Sequence, residues 1–359
     1  MLTPDGCRTR RQRLLDWKLA PGPLVLADPL SLRYFANAYA DPVSLGADYL
    51  GLLVLEPDGK TTLVHDSRAP KSVELAHVDE RVPLTWYDGK SAGKGARRLL
   101  MLDTLAKYGG RIHDALTDPV AVNYWPALDR IRRAKDPDEV ALLKTCMAAT
   151  AAGHDWARRH IAAGMTELDV YAGIAAACTK HTGHAVIVYG DFTVIGAHDK
   201  RGGPPTGHVL RDGECFVADF SVVIQGYRSD FTNTLVVGGK PTPGQTNLMD
   251  LSQQAMAAGE KVLTAGAACQ AVYDAVRGVF AAEGLADAFP HHAGHGLGLS
   301  HPEAPFFVEH SSETLVAGDV VTLEPGLYVD GVGGVRIEHN YLVTATGYER
   351  LSHHAIGLT

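Results

Sequence analysis

Short apolar runs alternate with polar turns through the first third of the chain. Leu24-Val25-Leu26-Ala27 and Tyr49-Leu50-Gly51-Leu52-Leu53-Val54-Leu55 have the length of strands. Pro57-Asp58-Gly59-Lys60 has turn chemistry, and Thr61-Thr62-Leu63-Val64 reads as the returning arm of a hairpin. A helix is expected over residues 94–108. No cluster of metal-binding or catalytic residue types occurs in this part. Residues 1–132 therefore read as a small α/β domain that serves structure or covers a site elsewhere.

The pattern changes near Arg132-Arg133-Ala134-Lys135. Asp136-Pro137-Asp138-Glu139 then opens a helix: Asp136 suits the cap, Pro137 the first turn, and the acids the positive end of the helix dipole. The apolar spacing carries that helix through Val140, Leu142, Leu143 and Cys146 toward Ile161. A second helix starts at Thr166-Glu167-Leu168-Asp169, a loose capping signature. Strand-rich segments follow at 214–237 and 319–344, with a helical stretch at about 245–284 between them. Helices and sheet in separate blocks indicate an α+β layer fold over residues 133–359.

Composition narrows the function. The 359 residues suffice for two domains, and 46% hydrophobic with 21% charged residues indicates a globular protein. A net charge of −8 and a pI near 6.1 disfavour a nucleic-acid partner, because no basic excess is available to neutralise phosphates. No apolar run reaches the roughly 18 residues of a membrane span. The N-terminal arginines 8, 10, 11 and 13 are followed by no apolar core and cleavage site, so no signal peptide is expected. Five widely separated cysteines (7, 146, 178, 215 and 269) suggest neither metal knuckles nor a disulfide framework, and a cytoplasmic location follows as the expectation.

The chemistry is concentrated in two segments. Glu214 to Val237 alternates, is rich in β-branched residues and reads as a hairpin, with Asp219 and Asp230 on its arms. Their midpoint, between Ile224 and Gln225, lies beside Gly226, so the two aspartates are expected to face each other with Cβ atoms about 5 Å apart. Val320 to Val343 repeats the arrangement: Glu324 and Glu338 share a midpoint at Gly331, inside Asp330-Gly331-Val332-Gly333-Gly334. Opposed acids in apolar strands persist only with a shared proton or a cation between them. Between the hairpins, glycines flank His295 within residues 291–305 and make it the candidate fifth ligand. Four carboxylates and one imidazole suit Mn²⁺, Co²⁺ or Zn²⁺, and four negative charges balance two divalent ions. Arg336 stands two residues before Glu338, on the same strand face, placed to support the acids or to bind a substrate carboxylate. His291 and His292 read as supporting or core histidines, His198 and His208 as loop residues, and His353 and His354 as terminal surface residues.

These residues carry a family resemblance. Asp219 with Gly226-Tyr227-Arg228-Ser229-Asp230-Phe231-Thr232-Asn233-Thr234 resembles the metal-binding hairpin of the pita-bread metallopeptidases (M24). Gly294-His295-Gly296-Leu297-Gly298-Leu299 resembles their histidine loop. Leu323-Glu324-Pro325-Gly326-Leu327-Tyr328 and Gly334-Val335-Arg336-Ile337-Glu338 resemble their glutamate strands. The resemblance covers residues 133–359, and the layout of residues 1–132 is similar to the N-terminal domain of the prolidase, aminopeptidase P and creatinase branch. It implies an antiparallel sheet covered by helices, the pita-bread fold, behind a smaller creatinase-like α/β domain. It further implies two divalent ions, most commonly Mn²⁺. Asp219 would chelate one ion, Asp230 and Glu338 would bridge both, and His295 and Glu324 would bind the second. A hydroxide bridging them would attack the carbonyl before a proline.

Two departures from the family pattern stand out. A histidine usual about seventeen residues before the first aspartate is replaced by Gly202, and the usual His-Glu pair falls at Pro302-Glu303, with His301 one residue early. The expected activity is that of an Xaa-Pro dipeptidase (prolidase) acting on small peptides, with His301, His292 and Arg336 as further catalytic candidates. The alternatives are an Xaa-Pro aminopeptidase, a creatinase-like hydrolase of a small amide or amidine, and a catalytically inactive binding module. A homodimer is expected from the resemblance, and an apolar patch near Leu45, Tyr49 or Trp86 is a candidate interface.

Overall fold

The computed structural model describes residues 1–44, 50–68, 73–96, 99–196 and 201–359. Leu45, Tyr49 and His198 lie outside the described residues. The chain divides into two compact units, Met1–Arg132 and Arg133–Thr359.

In the first unit, α1 (Pro4–Leu15) and α2 (Pro29–Ala36) begin alike. Thr3 and Asp28 accept from the N–H groups of Gly6 and Leu30, and a proline occupies the first turn of each helix. Strands β1 (Leu24–Leu26), β2 (Gly51–Leu55), β3 (Thr61–Asp66) and β4 (Glu80–Leu84) form one sheet in that order, antiparallel except for the parallel β3–β4 pair. Helices α3 (Leu99–Leu105) and α4 (Ala121–Arg133) follow. The helix expected over 94–108 is thus shorter: Gly93 and Gly95 precede it, residues 97–98 lie outside the described set, and a 3₁₀ turn at Ala106–Tyr108 ends at Gly109. Met101 and Leu105 pack on Val25, Leu52, Val54 and Val64 of the sheet.

The second unit opens with α5 (Pro137–His160), whose Glu139 carboxylate accepts from the Asp136 N–H at 2.9 Å. Helix α6 (Glu167–Thr182) has a full reciprocal cap, because Thr166 Oγ1 accepts from Asp169 N and Asp169 Oδ2 accepts from Thr166 N. These two helices cover a sheet of β5 (Ile187–Val194), β6 (Cys215–Ile224), β7 (Tyr227–Arg228) and β8 (Phe231–Val236), with β6 central. A Cβ on Gly153 would lie within 3.0 Å of Cys178, Phe220 and Ile174, so glycine is what lets α5 approach α6 and β6 so closely.

The helical stretch at 245–284 is two helices, α7 (Pro243–Glu260) and α8 (Cys269–Ala282). They pack against a second antiparallel system built from β9 (Gly294–Gly296), β10 (Glu303–Phe307), β11 (Val320–Leu323), β12 (Gly326–Val329), β13 (Gly333–Arg336), β14 (His339–Thr344) and β15 (Gly347–Arg350). Five of these strands run in the order β10-β9-β11-β14-β15, and β12-β13 form a separate ribbon. Leu248, Met256, Val272, Val276, Phe280, Phe307, Leu323 and Tyr341 share the core beneath them. The architecture is α+β: a smaller α/β unit comes first in the chain, followed by an antiparallel sheet system covered by helices.

Among the described residues, no helix is long and apolar enough to cross a membrane. All five cysteines are free and buried.

Candidate metal centre

The turn of the first hairpin is Gln225-Gly226, with φ of 51° and 87°. Both residues are left-handed, as a two-residue hairpin turn requires. This turn lies one residue later than the expected midpoint, which corrects the register. Asp219 pairs with Thr232, and Ile224 with Tyr227, so Asp219 and Asp230 are diagonal neighbours and do not oppose each other directly. A shift by an even count keeps side chains on their face, and the two carboxylates remain together. The residue directly across from Asp219 on the other side of β6 is Asp191 of β5.

Asp230 sits in the break between β7 and β8. Asn340 of β14 clamps its backbone, with Oδ1 accepting from the Asp230 N–H and Nδ2 donating to its carbonyl. Glu324 and Glu338 lie where β11 passes into β12 and β13 into β14. The flanking pairs, Leu323 with His339 and Gly326 with Arg336, put them opposite each other. Thr232 Oγ1 donates to Glu338 Oε2 at 2.7 Å. Glu338 Oε1 is buried and has no hydrogen-bond partner among the described residues.

His295 reaches this point from β9. Its Nδ1–H is aimed at the Gly296 carbonyl, 2.9 Å away, which leaves Nε2 as the lone-pair nitrogen. That Nε2 stands 3.6 Å from Asp230 Oδ2 and 3.5 Å from Glu324 Oε1. Ligand atoms of Asp219, Asp230 and Glu338 lie within 4.8 Å of one another, as do those of His292, His295 and Glu324, and those of Asp230, His295 and His301. Asp230 and His295 thus join three overlapping groups.

His301, one residue early in sequence, brings Nε2 to 2.5 Å from Asp230 Oδ2. His292 Nε2 lies 3.1 Å from Glu324 Oε1. Arg336 Nε lies 2.9 Å from Asp219 Oδ2, yet its N–H is not aimed to form a hydrogen bond there. Arg336 Nη2 donates to Asp191 Oδ2 at 2.6 Å and Nη1 to the Tyr328 hydroxyl at 3.2 Å. The structure therefore gathers Asp219, Asp230, His292, His295, His301, Glu324, Arg336 and Glu338 around one point.

The electrostatics reflect crowded acids. Burial, with the charges of Asp230, Asp191 and Glu324, raises Asp219 to about 7 against the opposing pull of Arg336. Burial and the charges of Asp230, Asp219 and Glu324 push Glu338 well above the carboxylate range. Burial also pushes Glu324 upward, but His292 and His295 hold it below its ordinary value. Burial depresses His301, and the bond to Asp230 more than offsets it, so the imidazole is raised. A divalent ion supplies what this arrangement lacks, a positive charge in reach of the orphaned Glu338 oxygen and its neighbours.

Asp191, Thr232, Tyr328 and Asn340 complete the surroundings and were not singled out from the sequence as site residues. Asp191 is a lone acid whose pairing with Asp219 spans a long connection. His354 is buried, contrary to the terminal surface placement expected of it, because its ring packs on Phe231 and His154.

Buried carboxylates and imidazoles gathered where antiparallel strands break mark a hydrolase of the metal-dependent class. Residues 141–345 match metallopeptidase family M24, and the chain belongs to that family. It is 26% identical over 345 residues to an uncharacterized peptidase of Staphylococcus aureus (strain USA300), covering 92% of this chain and 94% of that one. It is 33% identical over 224 residues to the probable dipeptidase PepE of Mycobacterium tuberculosis (strain ATCC 25618 / H37Rv), covering 61% and 58%. Its fold matches an Xaa-Pro dipeptidase from Bacillus anthracis with a TM-score of 0.79 at 22% identity, covering 98% and 99%.

Proposed function

We propose that this metallopeptidase is an Xaa-Pro dipeptidase whose site takes two divalent ions, Mn²⁺ foremost, on Asp219, Asp230, His295, Glu324 and Glu338. The observation that carries the metal reading is the buried, unpartnered Glu338 oxygen beside two further aspartates. The oxygen-rich donor set favours Mn²⁺ over a thiophilic ion. The dipeptidase reading is supported by the likeness to PepE over 61% of this chain and to the Bacillus enzyme over 98% of it.

When bound, such a pair of ions supplies a nucleophile at neutral pH and polarises the scissile carbonyl. The protein's own groups do the rest. His301 and His292 hold protons at Nε2 atoms that face Asp230 and Glu324, and both are assigned to donate to the substrate's carbonyl oxygen and leaving nitrogen. Asn340 fixes the backbone of Asp230, and Thr232 fixes the Glu338 carboxylate. Five buried thiols fit a reducing cytoplasm, and a homodimer is the expected assembly.

The test loads purified protein with Mn²⁺ and compares Ala-Pro, Ala-Pro-Ala and Ala-Ala, with metal content measured in parallel. Two ions per chain and cleavage of Ala-Pro alone are expected. Cleavage of Ala-Pro-Ala as well moves the reading to an Xaa-Pro aminopeptidase. Two ions with no cleavage of any of the three overturns the peptide reading in favour of a small-amide hydrolase.

A further inference from the structure

The guanidinium of Arg336 stands between two carboxylates paired across β5 and β6. Asp191 takes its Nη2 at 2.6 Å, whereas Asp219 lies 2.9 Å from a misdirected Nε–H. Asp191 Oδ1 is itself fixed, accepting from the Gly203 N–H at 2.7 Å. Beside it, a Cβ built on Gly202 would come within 2.0 Å of Asp191 Oδ2. Real Cβ atoms do not make such contacts, so any side chain at 202 must displace this carboxylate.

We propose that Asp191 is a positioning residue for the metal centre: it draws Arg336 aside so that Asp219 keeps its oxygens for a metal ion, and Gly202 is the space that admits it. The physical reason is competition. An arginine beside a carboxylate forms a two-pronged, charge-assisted pair when nothing else claims its nitrogens. Asp191 claims one of them, and the Tyr328 hydroxyl claims another. Without Asp191 the guanidinium closes onto Asp219 and competes with the ion for the same oxygens. Asp191 and Gly202 are then one device, since a Cβ at 202 and the Asp191 carboxylate would claim the same space. This inference rests on the metal reading above.

The experiment measures Mn²⁺ affinity by calorimetry and the Co²⁺ visible spectrum for wild type, Asp191→Asn, Arg336→Met and the double variant. It adds thermal unfolding of the metal-free Gly202→Ala and Gly202→Ala/Asp191→Ala proteins. Asp191→Asn is expected to weaken one ion at least tenfold and alter its cobalt bands. In the Arg336→Met background the same change is expected to have little further effect, because the competitor is gone. Gly202→Ala should lower the midpoint in the wild-type background and not in the Asp191→Ala background. Wild-type affinities in Asp191→Asn, or an equal loss with and without Arg336, overturn the proposal while leaving the metal reading intact. A stability-neutral Gly202→Ala in the wild-type background also overturns it. Wild-type protein that takes up no ion overturns both together.

Discussion

His301 Nε2 meets Asp230 Oδ2 at 2.5 Å although its place in the chain is one residue early for the family pattern. In extended backbone a shift of one turns a side chain to the opposite face. Here the pairing of β9 with β10 breaks register between Glu303 and Phe306, and His301 lies in the loop just before it, free of strand alternation. The residue therefore reaches the site through a loop, which is why sequence spacing alone left its position open. His301→Ala is expected to lower kcat on Ala-Pro by about 10² to 10³, the loss typical of one donor to a developing oxyanion, with metal content unchanged. Steady-state kinetics beside metal analysis checks this. Unaltered kcat with two ions bound removes His301 from the mechanism.

Elements hold that loop in place. Lys135, at the entry to α5, buries its ammonium 2.6 Å from Glu303 Oε1, and Glu303 Oε2 accepts from the Ser300 N–H at 3.1 Å. One carboxylate thus ties the two ends of the segment that carries His301. The Lys135 side chain is 1% exposed and that of Glu303 10%, so removing one partner strands a buried charge. Lys135→Met is expected to destabilise the protein by about 3–5 kcal/mol, and the double Lys135→Met/Glu303→Gln variant to recover part of it. Urea unfolding of both decides the matter. A loss below 1 kcal/mol in the single variant would mean that water reaches the pair.

At this scale, legibility follows distance along the chain. Local signals carried far: the strand runs of the first unit, the Pro137 start of α5 and the paired acids around glycine turns are set by neighbours a few residues apart. The first hairpin turns one position later than the spacing of its acids suggests because Gln225, with no obvious turn chemistry, adopts a left-handed φ ahead of Gly226. Even so the acids stay on one face, because parity survives an even shift. Asp191 was illegible because its partner Asp219 is reached through a long connection between β5 and β6, and no local period reports such pairing.

Across the whole catalytic unit, the site strand β8 separates two chemistries. Asp230 and Thr232 face the carboxylates, and Phe231 turns the other way into a layer of stacked rings. His154 and His354 lie there, 5% and 8% exposed, with centroids 4.7 Å apart. Their Nε2–H groups donate to the carbonyls of Phe231 and Thr232, so both imidazoles brace the backbone beside Asp230. Burial, joined by neighbouring positive charges, depresses His154 well below its ordinary 6.5 and, with Arg158 and Arg350 nearby, brings His354 to about 4. A depressed histidine is neutral when folded, whereas the unfolded chain takes up its proton below about 6.5. Stability from this layer is therefore complete above pH 6.5 and falls as pH drops toward 4, by up to about 1.4 kcal/mol per pH unit for each ring. The buried acids Asp219 and Glu338 are raised and slope the other way in metal-free protein, so the ring layer is read from the difference between two proteins that share them. Denaturant unfolding of metal-free protein at pH 7.5, 6 and 5 should therefore show a smaller acid loss in His354→Gln, which keeps an N–H for the Thr232 carbonyl but cannot titrate, than in the wild type. Equal slopes in the two proteins would mean that the ring layer is protonated in the native state, and that β8 is braced by something other than neutral imidazoles.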